Sequence, residues 1–480
     1  MNKSMISNII IFYILILYEY SLSYIIYPFK TRNPQVYNTE KNNTLLFRSL
    51  QDNNIYINME MGNPKQLIDV FLRMDTEIIY FSENNKSDLN YNYTNPNIYD
   101  VNSKLENFFD KNNSTTFEMS NQSVSVFNDV GKYSKDIIYY KTDKGNIELK
   151  SSFGFLKTSR GNMPGVIGFK LLKYDMYRDH NIIEQLKSND IINSYFWMIN
   201  YTSENEGNLI IGEQLHIIDP VHYKIEDLNL AHTFLYTTIT EWGLRFDEIT
   251  FKDVNFRPYH ECYFKIELNY ILGIDKFEKE IDIYFNESIL NGTCFKEKIK
   301  YPYSPHVFFY CDKELYKDNV KYFPPLRFEH KELNYTFELN YKDLFIEKDD
   351  KIIFMVFFDD YGMDWRFGKP FLKKYSFLMN PDSKTLGFYI KNYYDENDKN
   401  DKNDKNDKND KNDNNNKNNK TILKIVIISI ALLILFILGI LFGKYLFKSK
   451  KQPINSIEDD YDYTGKNDDF YYKNENEKIN

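Results

Sequence analysis

Gly62-Asn-Pro-Lys-Gln-Leu-Ile-Asp-Val-Phe-Leu-Arg-Met-Asp-Thr-Glu-Ile-Ile-Tyr-Phe-Ser82 reads as strand, loop, strand. An apolar run spans Leu67–Leu72, a polar break follows over Arg73–Glu77, and Ile78–Phe81 is apolar again. Ahead of it, Tyr56-Ile-Asn-Met-Glu-Met61 alternates as a half-buried strand does, so Gly62-Asn63-Pro64 is a turn between two β segments.

Moving outward, the chain stays strand-rich from Tyr56 to Tyr389, in short alternating runs broken by Asn, Asp and Gly. Five further segments stand out. They are Gly165-Val-Ile-Gly-Phe169; Phe196-Trp-Met-Ile199 with Gly207-Asn-Leu-Ile-Ile-Gly-Glu213; Trp242-Gly-Leu-Arg-Phe-Asp-Glu-Ile-Thr250; Phe323-Pro-Pro-Leu326; and Trp365-Arg-Phe-Gly-Lys-Pro-Phe-Leu-Lys-Lys-Tyr-Ser-Phe-Leu378 with Leu386-Gly-Phe-Tyr389. In order and spacing these segments, with Gly62, Pro64, Gln66 and Ile79-Tyr80-Phe81, resemble the pepsin-like aspartic proteases, of the A1, plasmepsin-like type. The resemblance covers nearly the whole region between the two ends. It implies an all-β, bilobal fold with a cleft between an N-terminal lobe (51–230) and a C-terminal lobe (231–394).

The same resemblance implies where the chemistry belongs. Pepsin-like catalysis uses two carboxylates, one from each lobe, that share a proton and titrate as a pair. Each aspartate sits in an Asp-Thr-Gly loop. Laid on this sequence without gaps, the first loop falls on Arg73-Met74-Asp75. Counting on from Asp247 through the second lobe, the other falls on Glu267-Leu268-Asn269. A guanidinium stays protonated at any physiological pH and cannot act as a base. Glu267 alone lacks a proton-sharing partner, and Met74 and Leu268 lack the threonine hydroxyls that grip the opposite loop. Asp75 and Asn269 replace the glycines, and Asp and Asn are the side chains that best tolerate left-handed backbone. The expectation is an inactive site in which Arg73 and Glu267 form an ion pair across the lobes. A register slip that makes Asp75-Thr76 the displaced loop would disturb the spacing to Gly62, Pro64 and Ile79-Tyr80-Phe81. The flap hairpin of the family belongs near Val124–Asp136, where only Gly131 and Tyr133 fit its composition.

The ends carry an address. Lys3, the apolar run Ile9–Leu17 and the small Ser21 and Ser23 read as a signal peptide over residues 1–23. Residues 24–50 are a short polar lead-in without a strong pattern. Residues 395–420 are an Asn-Asp-Lys repeat with nothing to bury, a disordered tether. Residues 421–443 contain the run Ile425–Phe442, long enough to span a bilayer with its flanks. Lys444, Lys448, Lys450 and Lys451 follow and place the tail 444–480 in the cytoplasm. The reading is a type I protein of the secretory pathway, held at a plasma or secretory-organelle membrane. Heavy use of Asn, Lys, Ile and Tyr points to an A+T-rich genome, such as that of an apicomplexan parasite.

Composition closes other routes. A formal charge of −9 on 480 residues leaves no nucleic-acid footprint. Seven histidines show no metal-ligand spacing, and no G-x-S-x-G or phosphate-binding glycine loop occurs, so no cofactor or metal is expected. Three cysteines allow one internal disulfide; Cys294 and Cys311 are near enough to close a short loop, with Cys262 outside the pair. The resemblance sets Cys262 where the family often has the second cysteine of a small disulfide, with Pro258 at its partner's position. Sequons at Asn92, Asn113, Asn200, Asn286 and Asn334 are glycosylation candidates. The expected function is protein or peptide binding at the cleft or on a lobe surface, as in adhesion or scaffolding. The alternative is an endopeptidase with an altered dyad, Glu267 with Asp75 or Asp69.

Overall fold

Alternation builds the first sheet one strand at a time. In β1 (Ile25–Arg32), Ile25, Tyr27 and Phe29 face inward; in β2 (Asn54–Met61), Ile55, Ile57, Met59 and Met61 do so. The computed structural model describes residues 24–32, 50, 54–82, 107–126, 129–141, 148–158, 164–171, 179–233, 241–256, 261–301, 304–359 and 364–389. The signal peptide, the tether 395–420, the segment 421–443, the tail 444–480 and Asn92 therefore lie outside the described residues. Among the described residues no helix is long and apolar enough to cross a membrane.

The first lobe continues through β3 (Gln66–Arg73), β4 (Ile79–Ser82), β5 (Glu118–Val126), β6 (Asp129–Lys141), β7 (Glu148–Thr158), β8 (Gly165–Gly168), β9 (Trp197–Tyr201), β10 (Glu206–Ile211) and β11 (Leu228–His232). The second lobe holds β12 (Gly243–Arg245), β13 (Glu248–Phe251), β14 (Val254–Asn255), β15 (Glu261–Phe264), β16 (Ile271–Gly273), β17 (Cys294–Tyr301), β18 (Ser304–Asp312), β19 (Leu326–His330), β20 (Tyr335–Leu339), β21 (Phe345–Lys348), β22 (Lys351–Phe354), β23 (Val356–Asp359) and β24 (Trp365–Phe367). The chain then returns to the first sheet with β25 (Phe377–Asn380) and β26 (Thr385–Tyr389).

The first sheet runs β11-β26-β25-β9-β10-β1-β2-β3-β8-β4-β7-β6-β5. A second runs β12-β15-β24-β16-β23-β18-β22-β21, with β17 on β18, and a small third is β14-β13-β19-β20. The lobes therefore share a sheet: β25 and β26, late in the chain, pair with β9 and β11 of the first lobe.

The lead-in needs correcting. Residues 25–32 are not patternless but form β1, antiparallel to both β10 and β2 near the middle of the sheet. Its alternation is plain once Pro28 and Lys30 are seen to lie on the outward face.

Phenylalanine does much of the packing in the second lobe. Phe246, Phe328, Phe337, Phe367, Phe371 and Phe377 make edge-to-face and stacked contacts, among them Phe367–Phe371 with ring centroids 4.0 Å apart. Cys294 and Cys311 face each other across the β17–β18 ladder and form the disulfide. Cys262 is a buried thiol on β15 outside it. Asn113, Asn286 and Asn334 are exposed, whereas Asn200 is half-buried within β9 and its Oδ1 accepts a hydrogen bond from Ser376 at 3.1 Å.

Candidate functional site

The two loops of interest grow from the same strand crossing, used once in each lobe. In the first, β3 runs parallel to β8 and ends with Arg73 opposite Gly168. The chain loops over, and β4 runs antiparallel along the other side of β8, with Ile79 opposite Ile167. In the second, β15 runs parallel to β24 with Phe264 opposite Phe367. There β16 returns antiparallel with Ile271 opposite Phe367. Lys265, the next residue after Phe264, stands level with Gly368, and its N–H donates to the Phe367 carbonyl at 2.9 Å.

Arg73 precedes Ile79 by as many residues as Lys265 precedes Ile271. By register, then, Arg73 answers to Lys265, Asp75 to Glu267, and Thr76 to Leu268. The gap-free count that sets Glu267 against Arg73 runs two residues too far. Such a count assumes a fixed connection between β13 and β15, and surface connections are where chains change length. A signal is present in the sequence: Phe71-Leu72-Arg73-Met74-Asp75 and Tyr263-Phe264-Lys265-Ile266-Glu267 are one pattern, two apolar residues, a base, an apolar residue, an acid.

Glycines on the facing strands let each loop sit down. A Cβ on Gly168 would lie 2.4 Å from the Thr76 carbonyl oxygen. One on Gly368 would lie 2.4 Å from that of Leu268 and 2.2 Å from that of Tyr270. Contrary to expectation, neither Asp75 nor Asn269 has a positive φ. The close approach is supplied by the opposing glycine instead, so the loop residue can keep a side chain. Met74 is buried in the main core and Leu268 packs against a second apolar cluster. Asn269 is buried.

A run of hydrogen bonds joins the loops through the interior. Phe169 N–H donates to the Arg73 carbonyl (2.8 Å), the Trp242 indole N–H donates to the Phe169 carbonyl (2.8 Å), and Phe264 N–H donates to the Trp242 carbonyl (2.9 Å). Trp242 also meets Trp197 edge-on, and Trp197 packs on Phe169.

The expected Arg73–Glu267 ion pair is not formed. Arg73 instead grips Asp75 on its own loop, Nη2 to Oδ2 at 2.5 Å and Nε to Oδ1 at 3.1 Å. A planar fork two residues from a carboxylate closes this pair without ordering a second chain segment. Lys265 pairs with Glu241 at 2.9 Å. Glu267 is half-buried, and its Oε2 is a buried oxygen with no hydrogen-bond partner among the described residues.

The shifts follow from these contacts. Burial opposes the charge on Arg73, but the hydrogen bonds and charge of Asp75, helped by Glu267, outweigh it and hold the guanidinium protonated more firmly than usual. Burial likewise works against ionised Asp75, and Arg73 overrides it, so its carboxyl lies below the ordinary value. For Glu267 burial wins: the carboxyl is pushed up, with Arg73 and Lys265 opposing and Asp75 assisting. Asp69 is elsewhere engaged, accepting from Asn58 (2.6 Å) and Asn107 (3.3 Å).

The flap region forms the hairpin β5–β6, in which Tyr133 lies against His180 with ring centroids 4.3 Å apart. Among the described residues no three His, Cys, Asp or Glu side chains converge as a metal site.

Two lobes with the same strand crossing, sharing one sheet and meeting at paired loops, define the bilobal pepsin-like β fold. Among solved structures the chain is similar to basic 7S globulin from soybean, with a TM-score of 0.54 and 11% identity over 77% of this chain and 95% of that one. No family model matches the sequence, and no curated protein matches it either.

Proposed function

We propose that this chain is a membrane-anchored, pepsin-like ectodomain that works by binding protein or peptide at its cleft or lobe surfaces rather than by cutting. It would stand at a parasite surface or in a secretory organelle. The observation that carries the reading is the base at the matching position of both loops, Arg73 and Lys265, each already neutralised by a carboxylate, Asp75 and Glu241. A water-activating dyad needs two carboxyl groups sharing one proton at the meeting point of the lobes. A guanidinium cannot fill either role. The address rests on the sequence: a signal peptide over 1–23, a tether over 395–420 and a span over 421–443.

One observation favours the alternative of an altered dyad. Asp75 and Glu267 answer to each other by register, and the charge of Asp75 adds to the proton affinity of Glu267. Against it, both oxygens of Asp75 are occupied by Arg73. The deciding experiment incubates the purified protein with a diverse peptide library from acid to neutral pH, beside an active aspartic protease, and reads products by mass spectrometry. Folded protein that cuts nothing is the expected outcome. Cleavage that disappears in Glu267→Ala would establish the altered dyad instead.

A further inference from the structure

The cluster where the loops meet holds two cations, Arg73 and Lys265, and three carboxylates, Asp75, Glu241 and Glu267. Arg73 is matched to Asp75 and Lys265 to Glu241, which leaves one carboxylate over. That carboxylate is Glu267, and it is also the one with a buried oxygen that lacks a donor among the described residues. A buried acceptor left unmade is costly, and a buried unpaired charge more so. Although bases stand at both matching positions, the unmet demand at the loop junction is therefore for a donor and for positive charge.

We propose that Glu267 is a receptor for a cationic group, the side chain of a lysine or arginine in a bound peptide. This deepens the binding reading above and rests on it. Burial raises the proton affinity of Glu267, and a bound proton would bring the cluster to electrical balance. An incoming ammonium or guanidinium takes the place of that proton: the Glu267 O–H bond breaks, the proton leaves to solvent, and the carboxylate accepts N–H bonds from the ligand. Glu267 retains some exposure as a residue, while its Oε2 is covered. The charged groups that act on it from the two loops are Arg73, Asp75 and Lys265. Both bases are engaged, so neither relieves Glu267 without giving up a partner. An acidic peptide would meet a cluster with no cation to spare.

The test uses the full chain in detergent and four octapeptides that differ only at one central residue: Lys, Arg, Leu or Glu. Binding is measured by titration calorimetry at stepped pH from acid to neutral, each step in two buffers of different ionisation enthalpy, which counts protons released. The Lys and Arg peptides should bind roughly tenfold more tightly than the Leu peptide, the scale of one charge-assisted hydrogen bond, and should release protons. Glu267→Gln should abolish both the preference and the release. Asp75→Asn is the second variant: it frees Arg73, which should turn to Glu267 and remove the preference while Glu267 remains. Peptide binding that ignores residue 267, or favours Glu, overturns the cationic-receptor proposal and leaves the binding reading standing. Failure of all four peptides to bind overturns both.

Discussion

A carboxylate keeps its charge in a protein only while something answers it, and Glu267 and Asp75 are answered differently. Glu267 has its proton affinity raised by burial, so the folded chain holds that proton more tightly than the unfolded chain does. The linkage sign follows: stability is greatest below the ordinary glutamate value of 4.5 and falls as pH rises from there through the higher folded value. Wild type should therefore lose stability relative to Glu267→Gln over that window, in denaturant titrations at stepped pH; parallel curves would show that the group is not perturbed. Asp75 behaves oppositely. Its folded value is lowered by Arg73, so its contribution is present above the ordinary aspartate value of 3.8 and is lost as pH falls through the folded one. The advantage of wild type over Asp75→Asn should shrink on acidification, and an advantage that grows instead would contradict the ion pair. Lys265 shares the local pattern of Arg73, but its pairing with Glu241 does not stand out in the sequence, because it joins residues from different segments, at the start of the second lobe and the end of β15.

At the scale of elements, the loops are held from behind by glycine and from beneath by tryptophan. Gly368→Ala would drive a Cβ into two carbonyl oxygens, and overpacking of this kind costs about 1–3 kcal/mol or more, readable as a lowered denaturation midpoint. Trp242→Phe keeps the apolar contact with Trp197 but leaves the buried Phe169 carbonyl without its donor, an expected loss of about 1–3 kcal/mol. A variant as stable as wild type would mean that the bond between the loops carries no weight. The Cys294–Cys311 disulfide ties neighbouring strands separated by 17 residues in sequence. Reducing it should cost about 3 kcal/mol by loop-closure entropy and lower Tm without changing the fold seen by circular dichroism. Strands are legible from alternation, including the patterns of β2 to β4, and the two-lobed order of segments follows from the family resemblance. β1 escapes such a reading because a proline and a lysine on its outward face hide the inward Ile25, Tyr27 and Phe29. Loop register escapes it where counting has to cross the connection between β13 and β15.

At the scale of the whole molecule, the shared sheet predicts how the chain unfolds. β25 and β26 cannot leave β9 and β11 without opening the first lobe, and the Trp242 bond crosses between the lobes. Calorimetry should show one transition for the described region; two separated transitions would mean that the lobes are energetically independent. The amino-acid sequence by itself determined the strands apart from β1, the bilobal pepsin-like order of segments, the disulfide pair and the base at the first loop, because period-two alternation and the chemistry of single residues are local properties. Only the tertiary structure decided that Arg73 turns to Asp75 and not to Glu267, that Lys265 pairs with Glu241, and that among the described residues no donor answers the buried Oε2 of Glu267. Those outcomes depend on which strand lies level with which, and on distances between side chains brought together from opposite ends of the fold. Register and burial are set by the packed whole, and no local pattern contains them.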